Sequence, residues 1–556
     1  MKSIAAGPAP TTSTQICAAF DVRKRLVQLR IVAYNVGMDT TLLDDDSCYR
    51  AVTARDTRFD GMFFTAVRTT GIYCRPVCAA RTPKRQSCSF FRTAAAAERA
   101  GFRPCLRCRP ELAPGRADFN ETLAAAILAR LQAGALDEGS SESLGREIGL
   151  SSRQVRRILL EHFGVTPIEV AQTQRLLFAK KLLQETELPM TQLALSSGFR
   201  SLRRFNASFR EQYGLAPSAL RKNGGEAPSA ARETMQAGDI TLRLAYRPPL
   251  AWRDLLAYLA GRGPAGVEAV EGMNGAHDGA YLRTVSLSSA ERTVTGWLAV
   301  RQPAGPERAK KGHANVLLVT LSASLAPVLM STMHRLRELF DLDADPARIA
   351  SHLGRDALLA PVVAAVPGLR MPGAWDRFEL ALRAVLGQQV SVAGASTLSG
   401  RMAARFGETI VTPCSRLDRI APTAETLANA ELADIAAIGI PKTRAATVRE
   451  LARFAAAGGL RFAPGTSLTE AVTALDSLPG IGPWTAHYIA MRALRHPDAF
   501  PAGDLGLRKA VGALERTGAL PSERELMQRA EAWRPWRAYA AAYLWRSLHQ
   551  TGELQP

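Results

Sequence analysis

Four cysteines in two close pairs carry a clear chemical signal: Cys74-x3-Cys78 and Cys105-x2-Cys108. Paired short spacings of this kind suit a tetrahedral zinc site. Five of the 8 cysteines lie between Cys74 and Cys108, and Cys88, which breaks the pairing, is not expected to be a ligand. Cys17, Cys48 and Cys414 are isolated and read as ordinary residues. A disulfide framework is the weaker reading, because nothing indicates secretion. A second stretch, Asp476 to Arg508, reads as helix, tight turn, helix, loop and acid. In the turn Leu478-Pro-Gly-Ile-Gly482, two glycines let the backbone come close to something and let their amides point outward together. At the start of a helix beginning near Pro483, such amides suit a phosphate. Phe500-Pro-Ala-Gly-Asp504 then returns one carboxylate towards the helix start. The plainer reading of Asp504 is an N-cap.

The helix after Pro483 should bury Ala486, Ile489, Ala490 and Ala493, which recur at helical spacing. Upstream, residues 119–221 read as helical and repeat themselves. Ser151 to Pro167 parallels Ser201 to Pro217, each ending in Phe/Tyr-Gly-x-x-Pro. Each is a helix preceded by a short helix and a glycine turn, at Gly149 and Gly198, with a long helix joining the units from about Pro167 to Glu185. Lys222 to Gly238 is rich in Gly, Ala, Ser and Glu and reads as a linker. Beyond it the period changes to two. Ile240, Leu242 and Leu244 alternate, as do parts of Val294–Arg301 and Asn315–Leu321, which predicts strands with one buried face. Trp252–Leu259 and Met330–Phe340 read as amphipathic helices, and from Leu353 onward almost everything is helical.

The chain has 556 residues, so several domains are expected. It carries 70 Lys+Arg against 51 Asp+Glu, a net charge of +19, which favours a polyanionic partner. No run of 18 apolar residues predicts a membrane span. Met1 to Gly37 lacks the order of a signal peptide and reads as a disordered extension.

The Asp476–Arg508 string resembles the helix-hairpin-helix DNA glycosylases, and among them 3-methyladenine DNA glycosylase II, the AlkA type. The resemblance implies that the amides near Gly480 and Gly482 grip a DNA phosphate, with a monovalent cation on the hairpin carbonyls. It implies that Asp504 is catalytic, and that Trp484 stands where bifunctional members carry a Schiff-base lysine. The enzyme would therefore be monofunctional. Electron-rich rings would stack on a flipped, electron-poor base. By resemblance these are Trp484, Tyr488, Trp545 and Tyr258, while Trp533 and Trp536 read as core. Gln389, in Arg383-Ala-Val-Leu-Gly-Gln-Gln-Val, takes the place of the residue wedged into the DNA stack. Tyr246-Arg-Pro-Pro-Leu-Ala-Trp252 is similar to the α+β domain that precedes such a glycosylase domain.

The segments around Cys74 and Cys105 closely resemble the N-terminal domain of the adaptive-response protein Ada. That resemblance implies one zinc on Cys74, Cys78, Cys105 and Cys108, with Cys74 also the nucleophile that takes a methyl group from a methylated DNA phosphate. Arg68, Arg75, Arg81, Lys84 and Arg85 would contact the backbone. The repeated helical units resemble the AraC-type double helix-turn-helix, whose second helices enter major grooves. Arg153, Gln154, Arg156 and Arg157, then Arg203, Arg204 and Asn206, lie on those helices.

The expected fold is multidomain, mainly α with α+β parts. It comprises a disordered extension (1–37), a small zinc-bound α/β domain (38–115), a double helix-turn-helix (116–222), a linker (223–238), a TBP-like α+β domain (239–352) and an all-α glycosylase domain (353–556). The expected function is alkylation repair: excision of 3-methyladenine and 7-methylguanine type bases, removal of methylphosphotriesters, and promoter control of the response. Expected partners are damaged and promoter DNA and RNA polymerase, for a monomer in the bacterial cytoplasm. No Pro-Cys-His-Arg motif is present, so repair of O6-alkylguanine is not expected. The rival reading is a transcription regulator with an inactive glycosylase scaffold.

Overall fold

The computed structural model describes residues 44–115, 123–137, 139–222, 238–273, 278–288, 293–303, 315–463, 466–516 and 519–550. The 1–37 extension and nearly all of the 222–238 linker lie outside them.

The front unit is built on a four-stranded sheet of order β3-β1-β2-β4. Its strands are β1 (Phe64–Val67), β2 (Ile72–Cys74), β3 (Cys88–Phe91) and β4 (Arg103–Pro104). Gly71, at φ 68°, closes the turn from β1 to β2. This is a left-handed conformation that glycine takes without steric cost. β2 and β4 run parallel, and Cys105 N donates to Tyr73 O at 3.0 Å. That pairing sets the start of the second cysteine pair beside the first. Phe64, Ala66, Tyr73, Ala97 and Phe102 form the small core.

The two repeated units fold as anticipated. Ser152–Phe163 and Leu202–Tyr213 are helices, each opened by a serine cap and closed by a left-handed glycine, Gly164 and Gly214. Gly149 and Gly198 both have positive φ. The joining helix runs Pro167–Glu185, with Thr166 and Glu169 forming its capping box.

A five-stranded antiparallel sheet follows, in the order β5-β9-β8-β7-β6. It comprises β5 (Ile240–Ala245), β6 (Glu268–Glu271), β7 (Ala280–Ser288), β8 (Thr293–Arg301) and β9 (Val316–Leu321). The alternation in β5 misled in one respect. Arg243 and Ala245 are buried as well as Ile240, Leu242 and Leu244. The joining helix packs on β5, and its Lys181 and Glu185 hydrogen-bond to Arg243. Both faces of β5 are therefore covered.

The remainder is helical, around two cores. One gathers Leu380, Val385, Val448, Leu475 and Ile489, and the other gathers Phe500, Trp533, Trp536 and Leu544. Among the described residues no helix is long and apolar enough to cross a membrane.

Candidate functional site

In the front unit the Sγ atoms of Cys74, Cys78, Cys105 and Cys108 all lie within 4.8 Å of one another. A tetrahedral zinc with Zn–S bonds of about 2.3 Å needs thiolates about 3.8 Å apart, so the donor set fits that ion. Backbone amides brace the sulfurs: Arg75 N lies 3.4 Å from Cys108 Sγ, and Cys108 N lies 3.5 Å from Cys105 Sγ. Cys88 is buried at the start of β3, outside the cluster. Burial pushes the Cys48 thiol up to about 12, so it stays protonated and unreactive at neutral pH. Arg75 is not a free cation. Its guanidinium pairs with Asp60 and donates to Cys108 O at 3.2 Å. It therefore supports the cysteine loop and is not available as a free backbone contact.

In the helical region, Leu468–Asp476 and Pro483–Arg492 form the two helices of the hairpin. Gly480 sits at φ +82°, and a Cβ there would lie 2.1 Å from Thr447 Oγ1. Glycine is required at this position on both counts. Gly482 has an ordinary φ of −98°, and a Cβ there would meet nothing within 4 Å. Conformation does not explain this second glycine, but open space over it leaves room for a ligand's close approach. No side chain caps the helix that Gly482 opens. Its first-turn amides remain available to an anion.

The Asp504 carboxylate is held on both oxygens. Trp484 Nε1 donates to Oδ2 at 3.0 Å, and Trp545 Nε1 donates to Oδ1 at 3.0 Å. Oδ1 also accepts from Leu507 N at 2.9 Å, so Asp504 does cap its helix. The N-cap reading of this residue holds, and the same carboxylate also meets both indoles. Trp484 stacks on Tyr488 with ring centroids 5.5 Å apart and planes 16° from parallel. Trp545 lies 6.3 Å from Tyr488 and 6.4 Å from Tyr258. The four rings named from the sequence thus form one cluster beside the carboxylate. Tyr258 reaches it from the helix Trp252–Ala260 of the preceding α+β region. Trp533 and Trp536 are core residues.

Three residues of this region escaped the sequence reading. Arg492 Nη1 donates to the hydroxyls of Tyr258 and Tyr488 at 2.6 and 2.9 Å. Burial raises the Tyr488 hydroxyl most strongly, but the charges of Arg492, Arg262 and Arg383 and the hydrogen bond with Tyr258 together outweigh it and hold the group below its ordinary value. For Tyr258 burial wins, and the hydroxyl is pushed up to about 12. Arg262 lies over the Tyr258 ring at 3.8 Å. Gln388 donates from Nε2 to Gly480 O at 2.9 Å and to Thr485 Oγ1 at 3.0 Å, which ties its loop to the hairpin. The signal for Arg492 was available: it falls four residues after Tyr488 and eight after Trp484, on one helical stripe.

Gln389 is exposed at φ 58°, a left-handed position uncommon for a residue with a side chain, next to exposed Val390 and Val392. On the helix-turn-helix units, Arg153, Gln154, Arg156, Arg157, Arg203 and Arg204 are all exposed.

Family models match four consecutive parts of the chain. The metal binding domain of Ada matches residues 47–111, and a helix-turn-helix domain matches 144–223. The AlkA N-terminal domain matches 241–376, and the HhH-GPD superfamily of base excision DNA repair proteins matches 382–535. A probable bifunctional transcriptional activator/DNA repair enzyme AlkA of Mycobacterium tuberculosis is 38% identical over 517 residues, 92% of this chain and 98% of that protein. The chain belongs to the Ada–AlkA family. Its two halves also have separate relatives. DNA-3-methyladenine glycosylase 2 of Escherichia coli is 34% identical over 54% of this chain and 95% of its own length. The bifunctional transcriptional activator/DNA repair enzyme Ada of the same organism is 34% identical over 34% of this chain and 51% of its own length. The cysteine cluster falls in the Ada-like part of the family pattern, and the Asp504 site falls in the AlkA-like part.

Proposed function

We propose that this protein removes alkylation damage from DNA at two separate sites and regulates transcription through the helices between them. At the first site the protein is a monofunctional glycosylase that hydrolyses the N-glycosidic bond of alkylated purines of the 3-methyladenine and 7-methylguanine type. The observation that carries this reading is the Asp504 carboxylate, fixed between two indole N–H groups beside an aromatic cluster and an uncapped hairpin helix. Such a base already carries a positive charge and leaves without a general acid. Trp484, Tyr488, Trp545 and Tyr258 would stack on it. Asp504 would stabilise the cationic sugar and orient water. Gln389 would fill the gap left in the duplex, and the amides after Gly480 and Gly482 would hold a phosphate. A monovalent cation on the hairpin carbonyls belongs to the same proposal.

At the second site, Cys74, Cys78, Cys105 and Cys108 would hold one zinc, which when bound keeps the thiolates deprotonated. The Cys74 sulfur would attack the methyl carbon of a methylphosphotriester. The C–O bond breaks, the electron pair stays on the phosphate oxygen, and a thioether remains. Losing one thiolate charge would relieve repulsion from DNA phosphates and raise affinity for a promoter through Arg153, Gln154, Arg157, Arg203 and Arg204.

Incubation with methylated DNA tests both sites at once. Free 3-methyladenine and labelled S-methylcysteine at Cys74 are the expected products. A protein that binds such DNA yet releases no base would favour the regulator with an inactive glycosylase scaffold. Label on Cys88 would overturn the assignment of the acceptor.

A further inference from the structure

Arg492 ends the hairpin helix one turn beyond Tyr488 and two beyond Trp484, and it is only 3% exposed. Its Nε and Nη2 donate to the carbonyls of Pro372 and Gly373, and its Nη1 donates to the two tyrosine hydroxyls. None of these acceptors carries a charge. A buried cation held by neutral groups alone is costly to desolvate. At the other end of the same stripe, Trp484 donates to the Asp504 carboxylate. The order along the helix is therefore cation, Tyr488, Trp484, anion.

We infer that Arg492 is a specificity-determining charge that drives positive charge off the flipped base and towards the sugar. The inference rests on the glycosylase reading proposed above. In the step, the C1′–N9 bond breaks and its electron pair goes to the purine. An alkylpurine that entered as a cation leaves uncharged, and C1′ and O4′ of the sugar take up the positive charge beside Asp504. Water adds to C1′, and its surplus proton passes to solvent. A purine that enters neutral instead leaves with developing negative charge. In both cases the base end becomes more negative, so a fixed cation there favours the transition state over the bound lesion. For a cationic base the same charge also weakens ground-state binding. The aromatic faces attract that base. However, the guanidinium already lies 4.9 Å from the Tyr258 ring centre and 5.7 Å from that of Tyr488, and it draws on the same π density.

The test compares Arg492→Gln, which keeps donors but no charge, with Arg492→Lys, which keeps the charge. Single-turnover rates and half-saturating enzyme concentrations are measured on one duplex carrying 7-methylguanine, a cation, or hypoxanthine, a neutral base. Arg492→Gln should lose about tenfold or more in saturated rate on both lesions. Its half-saturation should shift several-fold in favour of 7-methylguanine relative to hypoxanthine, because repulsion of the cation is gone. Arg492→Lys should keep the wild-type ratio and most of the rate. Equal weakening on both lesions with an unchanged ratio would reduce Arg492 to a structural clamp and overturn the inference. Near-normal rates in Arg492→Gln, or a loss in Arg492→Lys as large as in Arg492→Gln, would do the same. If Arg492→Gln lacks a cooperative melt, Arg492→Lys decides alone. If the wild-type protein releases neither base, the glycosylase reading itself fails.

Discussion

Asp504 shows how one carboxylate can cap a helix and hold two indoles at once. Its Oδ1 accepts from a backbone amide of its own helix and from Trp545, and its Oδ2 accepts from Trp484. Asparagine would retain the shape and one acceptor oxygen, but its amide would face an indole N–H and its charge would be lost. Asp504→Asn should therefore lower 3-methyladenine release by about 100-fold or more. Lesion binding should largely survive, because the hairpin amides and the rings remain. Quantifying released base against a gel-shift titration separates the two. The product should be an intact abasic site. A protein–DNA adduct trapped by borohydride would contradict the monofunctional reading, and near-normal excision by Asp504→Asn would remove the core of the mechanism.

At the level of elements, β2 carries Cys74 and is anchored through the residue before it. Tyr73 donates to Glu98 at 2.9 Å, and Glu98 also accepts from Thr173 of the joining helix at 2.6 Å. Burial raises the Glu98 carboxyl from 4.5 to about 7. An acid raised in this way stabilises the fold fully below its unfolded value, and that contribution is lost as pH rises through about 7. The difference amounts to about 3 kcal/mol at most. Glu98→Gln should therefore gain on the wild type, in urea midpoint, between pH 5 and pH 8. A difference that stays flat with pH would contradict this. The cysteines make a second prediction. Purified protein should carry one zinc by metal analysis, and Cys78→Ala or Cys108→Ala should lose it together with the fold of the front unit. A front unit that stays folded without metal would reject the assignment. Much of this was legible in the sequence, since cysteine spacing, glycine turns and the 50-residue echo are local signals. What was not legible depends on long-range pairing. β7 carries weak alternation because it is covered on both faces. Glu98 acquires its role only from Tyr73 and Thr173, far away in the chain, and Arg492 adds Tyr258, Pro372 and Gly373 to its helix neighbour Tyr488.

For the molecule as a whole, the decisive feature is a seam of buried charge between the halves. Across it, Glu185 accepts from the Arg243 amide at 2.9 Å and lies 3.5 Å from the Arg243 guanidinium, and Lys181 donates to Arg243 O; behind it, within the front half, Arg109 pairs with Glu185 at 2.7 Å and Lys180 with Glu111 at 2.6 Å. Arg247 adds a bond to Asp60 O at 2.8 Å. Removing one partner of such a buried pair typically costs about 3–5 kcal/mol. If a protease site is inserted after residue 230 and cut, the two fragments should still co-elute on gel filtration. Glu185→Ala should make them separate. Fragments of the wild type that part at once would show the seam to be weak. The seam also has a bearing on synthesis. Arg109, Glu111, Lys180, Lys181 and Glu185 leave the ribosome before Arg243 does. For that interval Glu185 and Lys181 lack the partner that completes their network, and water must stand in. A gene cut back to its first 222 codons would make that interval permanent. The surface left bare would be apolar as well as charged, because Leu182, Leu183 and Leu193 share one core with Ile240, Leu242 and Leu325, so the orphaned front half should expose that patch and melt earlier than it does within the full-length chain.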